Sequence, residues 1–337
     1  LKKAIASMPN ANNYDTSKKN LYTPINDTKV QITILYSEAY IETKSVMTKS
    51  NTPIGGYSVN PYVGCPHACK YCYASFMKRF TGHTEEWGTF MDVKDWPEIK
   101  NPKKYAGQKV IIGTVTDGYN PLEETYKNTR RLLEELKDSG ADILICTKSD
   151  LVLRDLDLLK EINENSRLTV SWSINTLDEE FKDDMDAAVS IERRLAAMKE
   201  VYAAGIRTIC FISPVFPGIT DIEAIIDRTK DQCDLVWLEN LNLRGGFKAD
   251  IMKYISDKHP DLVPLYDEIY NKKNRSYFEA LEKKAEELAK KYDCRFVDNE
   301  TPYERVEKGH PTIVDYFYHE EVRGTANSGK RNVIHNP

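Results

Sequence analysis

No stretch of the 337-residue chain approaches the roughly 18 consecutive apolar residues that a membrane span requires. Its first twenty residues, LKKAIASMPNANNYDTSKKN, hold no apolar core of the signal-peptide kind, so the expectation is a soluble, cytoplasmic protein with no membrane partner. A marked excess of one charge is also missing. The 47 basic residues stand against 52 acidic ones, a formal −5, which argues against a surface built mainly to neutralise phosphates but leaves room for a local basic groove. The aromatic motif of RNA-binding sheets is absent, and the 4 Trp and 20 Tyr are expected in the core or on the surface rather than in a base-stacking strip. What is present is 41% hydrophobic and 29% charged residues, enough to bury a core over two domains or one α/β barrel.

Seven cysteines make an odd number, and their spacing excludes a disulfide framework. Cys146, Cys210, Cys233 and Cys294 lie far apart in apolar surroundings, whereas Cys65, Cys69 and Cys72 crowd into GCPHACKYCY as C-x3-C-x2-C. Three thiolates in one loop can hold a metal centre, but they leave a four-iron cluster one ligand short. Two readings follow: a structural zinc site completed by His67 or a distant residue, or a cluster with one iron open to a cofactor.

Residues 1–42 form a polar N-terminal extension whose KVQITILY alternates like one strand. From Tyr57 a pattern repeats: YSVNPYV, KVIIGTV, DILICT, LTVSWSIN, IRTICFIS and LVWLEN, each followed by a helical segment such as TRRLLEELKD or IERRLAAMKEVYAAG. Six short apolar strands alternating with amphipathic helices imply parallel strands joined by crossover helices, hence a partial (β/α)6 barrel over residues 43–245. Functional residues of such a barrel gather at the carboxyl ends of its strands, and the cysteine loop follows the first. An insertion near 78–108, with RFTGHTEEWGTF, is expected to cover part of the mouth, where His67, His83 and the Trp87 region could also lie. Residues 246–337 read as a helical C-terminal extension, with a strand-like CRFV and a flexible tail, GTANSGKRNVIHNP.

The aromatic residue before the third cysteine, Tyr71, and the barrel pattern make the chain resemble the radical S-adenosylmethionine (SAM) superfamily, whose signature is C-x3-C-x-aromatic-C. The match is closer to its spore photoproduct lyase-like group, through NPYVGCPHACKYCYA, GTVTDGYNPLE, TKSDLVLRDLDLL, SWSINTLDEEF and SPVFPGITD. SFMKRFTGHTEEWGTF, DMDAAVSIERRL and VWLENLNLRGG are similar to the subgroup of radical SAM mobile pair proteins, which occur beside a second radical SAM protein, a candidate partner. The resemblance implies an anaerobic enzyme with a 4Fe-4S cluster on Cys65, Cys69 and Cys72, and SAM bound to the open iron through its amino nitrogen and carboxylate. One electron, from a reductant such as flavodoxin or ferredoxin, would cleave SAM to a 5'-deoxyadenosyl radical that abstracts hydrogen from a substrate.

One departure argues against photolesion repair. Spore photoproduct lyases end their second strand with a cysteine that returns a hydrogen atom to thymine, and Thr114 stands in the corresponding T-V-T-D segment here. A hydroxyl O–H bond is too strong for that step, which leaves Cys146, in LICTKSD, as the candidate hydrogen donor or else a small core residue.

For the cofactor's polar groups the candidates are Lys148 and Arg194 at the carboxylate, with Arg193 able to exchange roles with Arg194. Ser173 and Asn175 are expected at the ribose, Thr116 and Asp117 at the ammonium, and the backbone of Tyr71 and Tyr73 at adenine. Substrate candidates are Arg154, which could equally be ion-paired within the barrel, and the polar set Glu239, Asn240, Asn242 and Arg244 after the sixth strand. The substrate itself reads as nucleotide or nucleic acid, or as peptide or metabolite. No cysteine-rich C-terminal motif favours a peptide, since Cys233 and Cys294 stand alone. A non-catalytic zinc-binding or scaffold protein on the same barrel is the competing class.

Overall fold

The runs KVII, DILICT and LTVSW are rich in β-branched residues, and nearly all of them are buried irrespective of face. Such strands need both faces covered, and each is followed by a helical segment. The computed structural model describes residues 17–19, 36–50, 56–243, 245–298, 308–309 and 311–316. It divides into two units, Leu1–Leu168 with Asp186–Val189, and Thr169–Met185 with Ser190–Pro337.

The first unit contains strands β1 (Ser17–Lys19), β2 (Tyr36–Glu42), β3 (Met47–Lys49), β4 (Tyr57–Val59), β5 (Tyr62–Val63), β6 (Phe90–Asp95), β7 (Lys109–Ile112) and β8 (Asp142–Thr147). Helices α1 (Glu123–Tyr126) and α2 (Asn128–Leu136) connect β7 to β8, and α3 (Leu156–Asn165) follows β8. Strands β4, β7 and β8 run parallel, with β3 antiparallel to β4. Val110, Ile112, Ile143 and Ile145 are fully buried in this sheet. Gly113, just past β7, is held at φ +91°, and a Cβ there would stand 2.4 Å from the Cys146 carbonyl oxygen.

Residues 29–35 of KVQITILY lie outside the described residues, and the strand that is described begins at Tyr36. The N-terminal extension and the 78–108 insertion share a four-stranded sheet, β1-β2-β6-β5, in which β2 and β6 pair parallel over six residues. Alternation marks the strands of that sheet, but pairing between segments some fifty residues apart has no local signature.

The second unit holds β9 (Arg167–Ser173), β10 (Arg207–Val215) and β11 (Leu235–Asn240), all parallel. Between and after them run α4 (Glu179–Met185), α5 (Ile191–Ala203), α6 (Ile222–Thr229), α7 (Phe247–Lys258), α8 (Val263–Tyr270) and α9 (Ser276–Lys291). Helix α5 starts where Ser190 accepts from the Arg193 amide, and α6 where Asp221 accepts from the Glu223 and Ala224 amides. The C-terminal segment is more than a helical extension. Strands β12 (Arg295–Asp298) and β13 (Thr312–Tyr316) extend the parallel sheet in the order β9-β10-β11-β13-β12. The GTANSGKRNVIHNP tail lies outside the described residues. Among the described residues no helix is long and apolar enough to cross a membrane.

Candidate functional site

The loop from Gly64 to Cys72 follows β5 and leads into a 3-10 helix, Tyr73–Phe80. Backbone bonds from Ala68 N to the Cys65 carbonyl, 3.1 Å, and from Cys72 N to the Cys69 carbonyl, 3.1 Å, coil it into consecutive turns. Gly64, at φ +88°, is required because a Cβ would meet the Phe90 carbonyl oxygen at 2.3 Å. Further bonds tie the loop to distant segments: Thr116 Oγ1 donates to the Gly64 carbonyl, and Ala187 N to the His67 carbonyl at 2.8 Å.

Asp117 is the hub of this arrangement. Buried, it accepts from Tyr119 N at 2.9 Å, Thr147 Oγ1 at 2.8 Å, Lys148 N at 2.7 Å and His67 Nε2 at 3.1 Å. Burial alone would push its carboxyl up, but the bonds from His67, Lys148 N and Tyr119 N hold it below the usual carboxylate range. Both oxygens are committed within the protein, so the expected contact with the cofactor's ammonium gives way to positioning the cysteine loop. Thr116 is likewise buried and bonded to the loop backbone.

All three cysteines are free thiols. Burial pushes the Cys65 thiol up to about 12, reinforced by Asp117, and Cys69 well above the ordinary range, with Lys148 acting the other way. Each of these two is raised further by neighbouring cysteines, so the thiols share one region. Burial raises Cys72 as well, opposed by nearby amides, Lys148 and Trp87. The Lys148 ammonium sits 5.4 Å from the Tyr71 ring centroid, and Tyr71 Oη donates to Asp186 Oδ2 at 3.1 Å. Lys148 is therefore the cation that faces the thiols. Two buried nitrogens around the loop, His67 Nδ1 and Trp87 Nε1, have no hydrogen-bond partner.

Among the described residues no three His, Cys, Asp or Glu side chains converge on one ion position. Three thiolates on a single zinc would have to converge in that way. Ligands of a four-iron cluster each hold a different iron, and three thiols in one loop, Cys65 buried and Cys69 and Cys72 half-buried, with the buried, unpartnered Nδ1 of His67 between the first two, fit that group.

Tyr73 is exposed, its hydroxyl donating to the Thr114 carbonyl, and its ring stacks on exposed Phe76 with centroids 6.5 Å apart. The Arg79 guanidinium lies 5.3 Å from the Phe76 and 5.2 Å from the Phe80 ring centroid. No acidic residue occurs from Pro66 to Thr84, while Lys70, Lys78 and Arg79 do. A 3-10 helix repeats every three residues, which aligns Tyr73 with Phe76. The Thr114 hydroxyl is fixed by Ser58 Oγ and by Asn60 Nδ2, at 2.9 Å. Cys146, in β8, is half-buried, unlike the fully buried Cys210.

Arg154 is turned to structure. It donates to Glu123 Oε1 at 2.7 Å, to the Glu123 carbonyl at 2.8 Å and to both oxygens of Asp155, at 2.9 and 2.7 Å. Arg130 adds a bond to Asp155 at 2.8 Å, and Tyr62 one to Glu123. With Glu123 and Asp155 fully buried, this guanidinium neutralises the barrel wall and is not available to a substrate.

In the second unit Arg194 is fully buried and donates to the Ser173 carbonyl at 3.2 Å, at the end of β9. Arg193, its neighbour in the chain, is exposed. Asn175 is buried with its Nδ2 unpartnered, and its carbonyl accepts from Thr220 Oγ1 at 2.8 Å. Glu239, at the end of β11, accepts from Ser213 Oγ at 2.7 Å, and burial holds its carboxyl above the usual range. Asn240 and Asn242 follow it, buried and half-buried, while Arg244 lies outside the described residues.

A three-cysteine loop a few residues past β4, the first parallel strand of an α/β fold, is the arrangement of a cluster-binding enzyme. The chain belongs to the Radical SAM superfamily, whose sequence model matches residues 59–228. It is 36% identical over 234 residues to the uncharacterized protein MJ0683 of Methanocaldococcus jannaschii, covering 69% of this chain and 86% of that protein. It is 25% identical over 182 residues to the radical SAM Nalpha-GlyT isomerase of Pseudomonas phage M6, covering 52% of this chain and 35% of that one. Spore photoproduct lyase complexed with dinucleoside spore photoproduct shares the fold at TM-score 0.52 and 14% identity, over 83% of this chain and 82% of the lyase. A variant of that lyase with bound AdoMet matches at TM-score 0.50 and 16% identity, over 80% and 79%. The fold is thus the partial α/β barrel of the spore photoproduct lyase-like group, and the protein is a radical SAM enzyme.

Proposed function

We propose that Cys65, Cys69 and Cys72 hold a 4Fe-4S cluster and that SAM is cleaved reductively beside it. The three-thiol loop, braced by Asp117 and faced by the Lys148 ammonium, carries this reading. When bound, the cluster supplies the electron that splits SAM into methionine and a 5'-deoxyadenosyl radical. Lys148 pairs with the SAM carboxylate and stabilises the Cys69 and Cys72 thiolates, whose protons must leave on metal binding. Thr116 and Asp117 hold the loop in shape, and Tyr71 carries Lys148 on its ring face. Ser173, Asn175 and Arg194, at the end of β9 and on α5, bind the remaining polar groups of SAM, with Tyr73 contributing its backbone. Cys146 is the thiol available to return a hydrogen atom. A one-electron carrier such as flavodoxin or ferredoxin is the partner this chemistry needs.

For the substrate, we infer a nucleotide or nucleic acid strand. The Tyr73–Phe76 stack, with Arg79 over Phe76 and Phe80 and no acidic residue from Pro66 to Thr84, supports this reading. Aromatic faces hold unpaired bases at about 1–3 kcal/mol each, and cations track the backbone. Glu239, Asn240 and Asn242 remain the polar set for a substrate's hydrogen-bonding groups. The lyase structures contain a dinucleoside, but at 14% identity they bear on fold alone.

The decisive experiment is anaerobic reconstitution with iron and sulfide, then SAM and dithionite, with chromatography for 5'-deoxyadenosine. Product should depend on all three cysteines; retained product in Cys69→Ala, with its cluster absent, would sink the proposal. Oligonucleotide binding at two salt concentrations tests the substrate class. A salt slope that flattens in Arg79→Ala supports it, and no binding at low salt redirects the search to peptides or metabolites.

A further inference from the structure

Three polar side chains meet where β4 and β7 end. Asn60, buried just past β4, accepts from Val115 N at 3.0 Å through Oδ1. That bond turns its Nδ2 toward two hydroxyls, Thr114 Oγ1 at 2.9 Å and Ser58 Oγ at 3.4 Å. The two hydroxyls, both half-buried, stand 2.5 Å apart, and one donates to the other. Thr114 is also tied to both ends of the cysteine loop. Its carbonyl accepts from the hydroxyl of Tyr73, the residue after Cys72, and two residues beyond it Thr116 Oγ1 donates to the Gly64 carbonyl.

Two hydroxyls carry two protons, and the bond between them uses one. Whichever oxygen holds the second, no acceptor for it occurs among the described residues. Asn60 feeds an N–H into the pair, and its own oxygen faces Val115 N instead. A chain of this kind, N–H to O–H to O–H, polarises its last member toward an acceptor. At a half-buried position a water holds that place until a ligand oxygen displaces it. A hydroxyl that cannot give up a hydrogen atom can still give a hydrogen bond.

Tyr73 sets which ligand oxygen arrives. Its exposed ring stacks on Phe76, while Arg79 lies over Phe76 and Phe80. A base on this strip therefore meets the hydroxyls at the Tyr73 end and leaves its phosphate to the arginine end. We propose that the Ser58–Thr114 pair donates its outward O–H to a ring carbonyl of the base stacked on Tyr73, which makes Thr114 a specificity-determining residue. The inference deepens the nucleotide reading of the strip and rests on it. No covalent bond forms or breaks at either hydroxyl.

The test uses reconstituted protein with SAM present and two fluorescent probes. One is an oligodeoxyuridylate; in the other a difluorophenyl ring of the same shape replaces each uracil. Iron content and SAM binding are measured first. The ratio of affinities, uracil over difluorophenyl, should be about three- to tenfold higher in wild type than in Thr114→Val, the range of one net hydrogen bond. Thr114→Ser, which restores the hydroxyl, should keep the wild-type ratio. Equal ratios in wild type and Thr114→Val would overturn the inference and leave the nucleotide reading intact. Weaker SAM binding in Thr114→Val would assign the O–H to the cofactor and also overturn it. A wild type that binds neither probe would overturn the nucleotide reading, and the inference with it. Should Thr114→Val take up no iron, wild type decides by photocrosslinking to a thiouracil probe. An adduct within residues 56–60, 73–76 or 113–116 supports the inference, and an adduct elsewhere, or none, overturns it.

Discussion

Replacing Asp117 by Asn tests whether one buried carboxylate holds the cysteine loop in place. Asn keeps the size and one oxygen, which can still serve Tyr119 N and Thr147 Oγ1, the partners of Oδ1. Its amide nitrogen then meets the Lys148 N–H, 2.7 Å away in the native protein, donor against donor. His67 can change tautomer and accept, but Lys148 N cannot. A hydrogen bond to a charged group contributes about 1.5–3 kcal/mol, and an orphaned buried donor costs about 1–3, so a net loss of about 3 kcal/mol is expected. At 1.4 kcal/mol per tenfold, exchange protection of the Lys148 amide should fall about a hundredfold. Hydrogen exchange read on peptides spanning residues 144–150 measures this, and iron uptake should fall in parallel. The wild-type contribution is present above the ordinary aspartate pKa and lost as pH falls through the lower folded value; Asp117→Asn should lack that acid sensitivity. Protection changed less than threefold would refute the role assigned to Asp117.

Arg154→Met should destabilise the protein by about 3–5 kcal/mol, because Glu123 and Asp155 would keep buried charge with only Arg130 near Asp155. Urea unfolding of the metal-free protein checks this, and an unchanged midpoint would return Arg154 to the substrate candidates. Burial raises the Cys210 thiol to about 12, a shift that Thr229 only partly offsets. Stability is therefore full below the ordinary thiol pKa and declines as pH rises toward 12, by up to about 4 kcal/mol for this one group. Cys210→Ala should flatten the alkaline limb of a pH series of urea melts, and parallel limbs would contradict the assignment.

Periodicity made the six parallel strands and their helices legible, because strands buried on both faces read as apolar runs whatever their surroundings. The cysteine spacing and Tyr71 likewise pointed to the metal loop, since those constraints are local. Asp117 was visible as a carboxylate but not as a hub: its partners His67 and Thr147 lie 50 and 30 residues away. Arg154 could be read as substrate contact or wall, and only the burial of Glu123 decides between them. Strand β13 and the pairing of β2 with β6 escaped because short strands in polar stretches gain their identity from the partner.

The residues Asp186–Val189 belong to the first unit although the sequence on either side of them belongs to the second. Asp186 takes the Tyr71 hydroxyl, and Ala187 caps the His67 carbonyl. A nascent chain therefore cannot complete its cysteine loop until more than a hundred residues beyond Cys72 have left the ribosome. A truncated product ending before Asp186 would have made β4, β7, β8 and β9 but none of β10 to β13, and is expected to carry an unfinished cysteine loop.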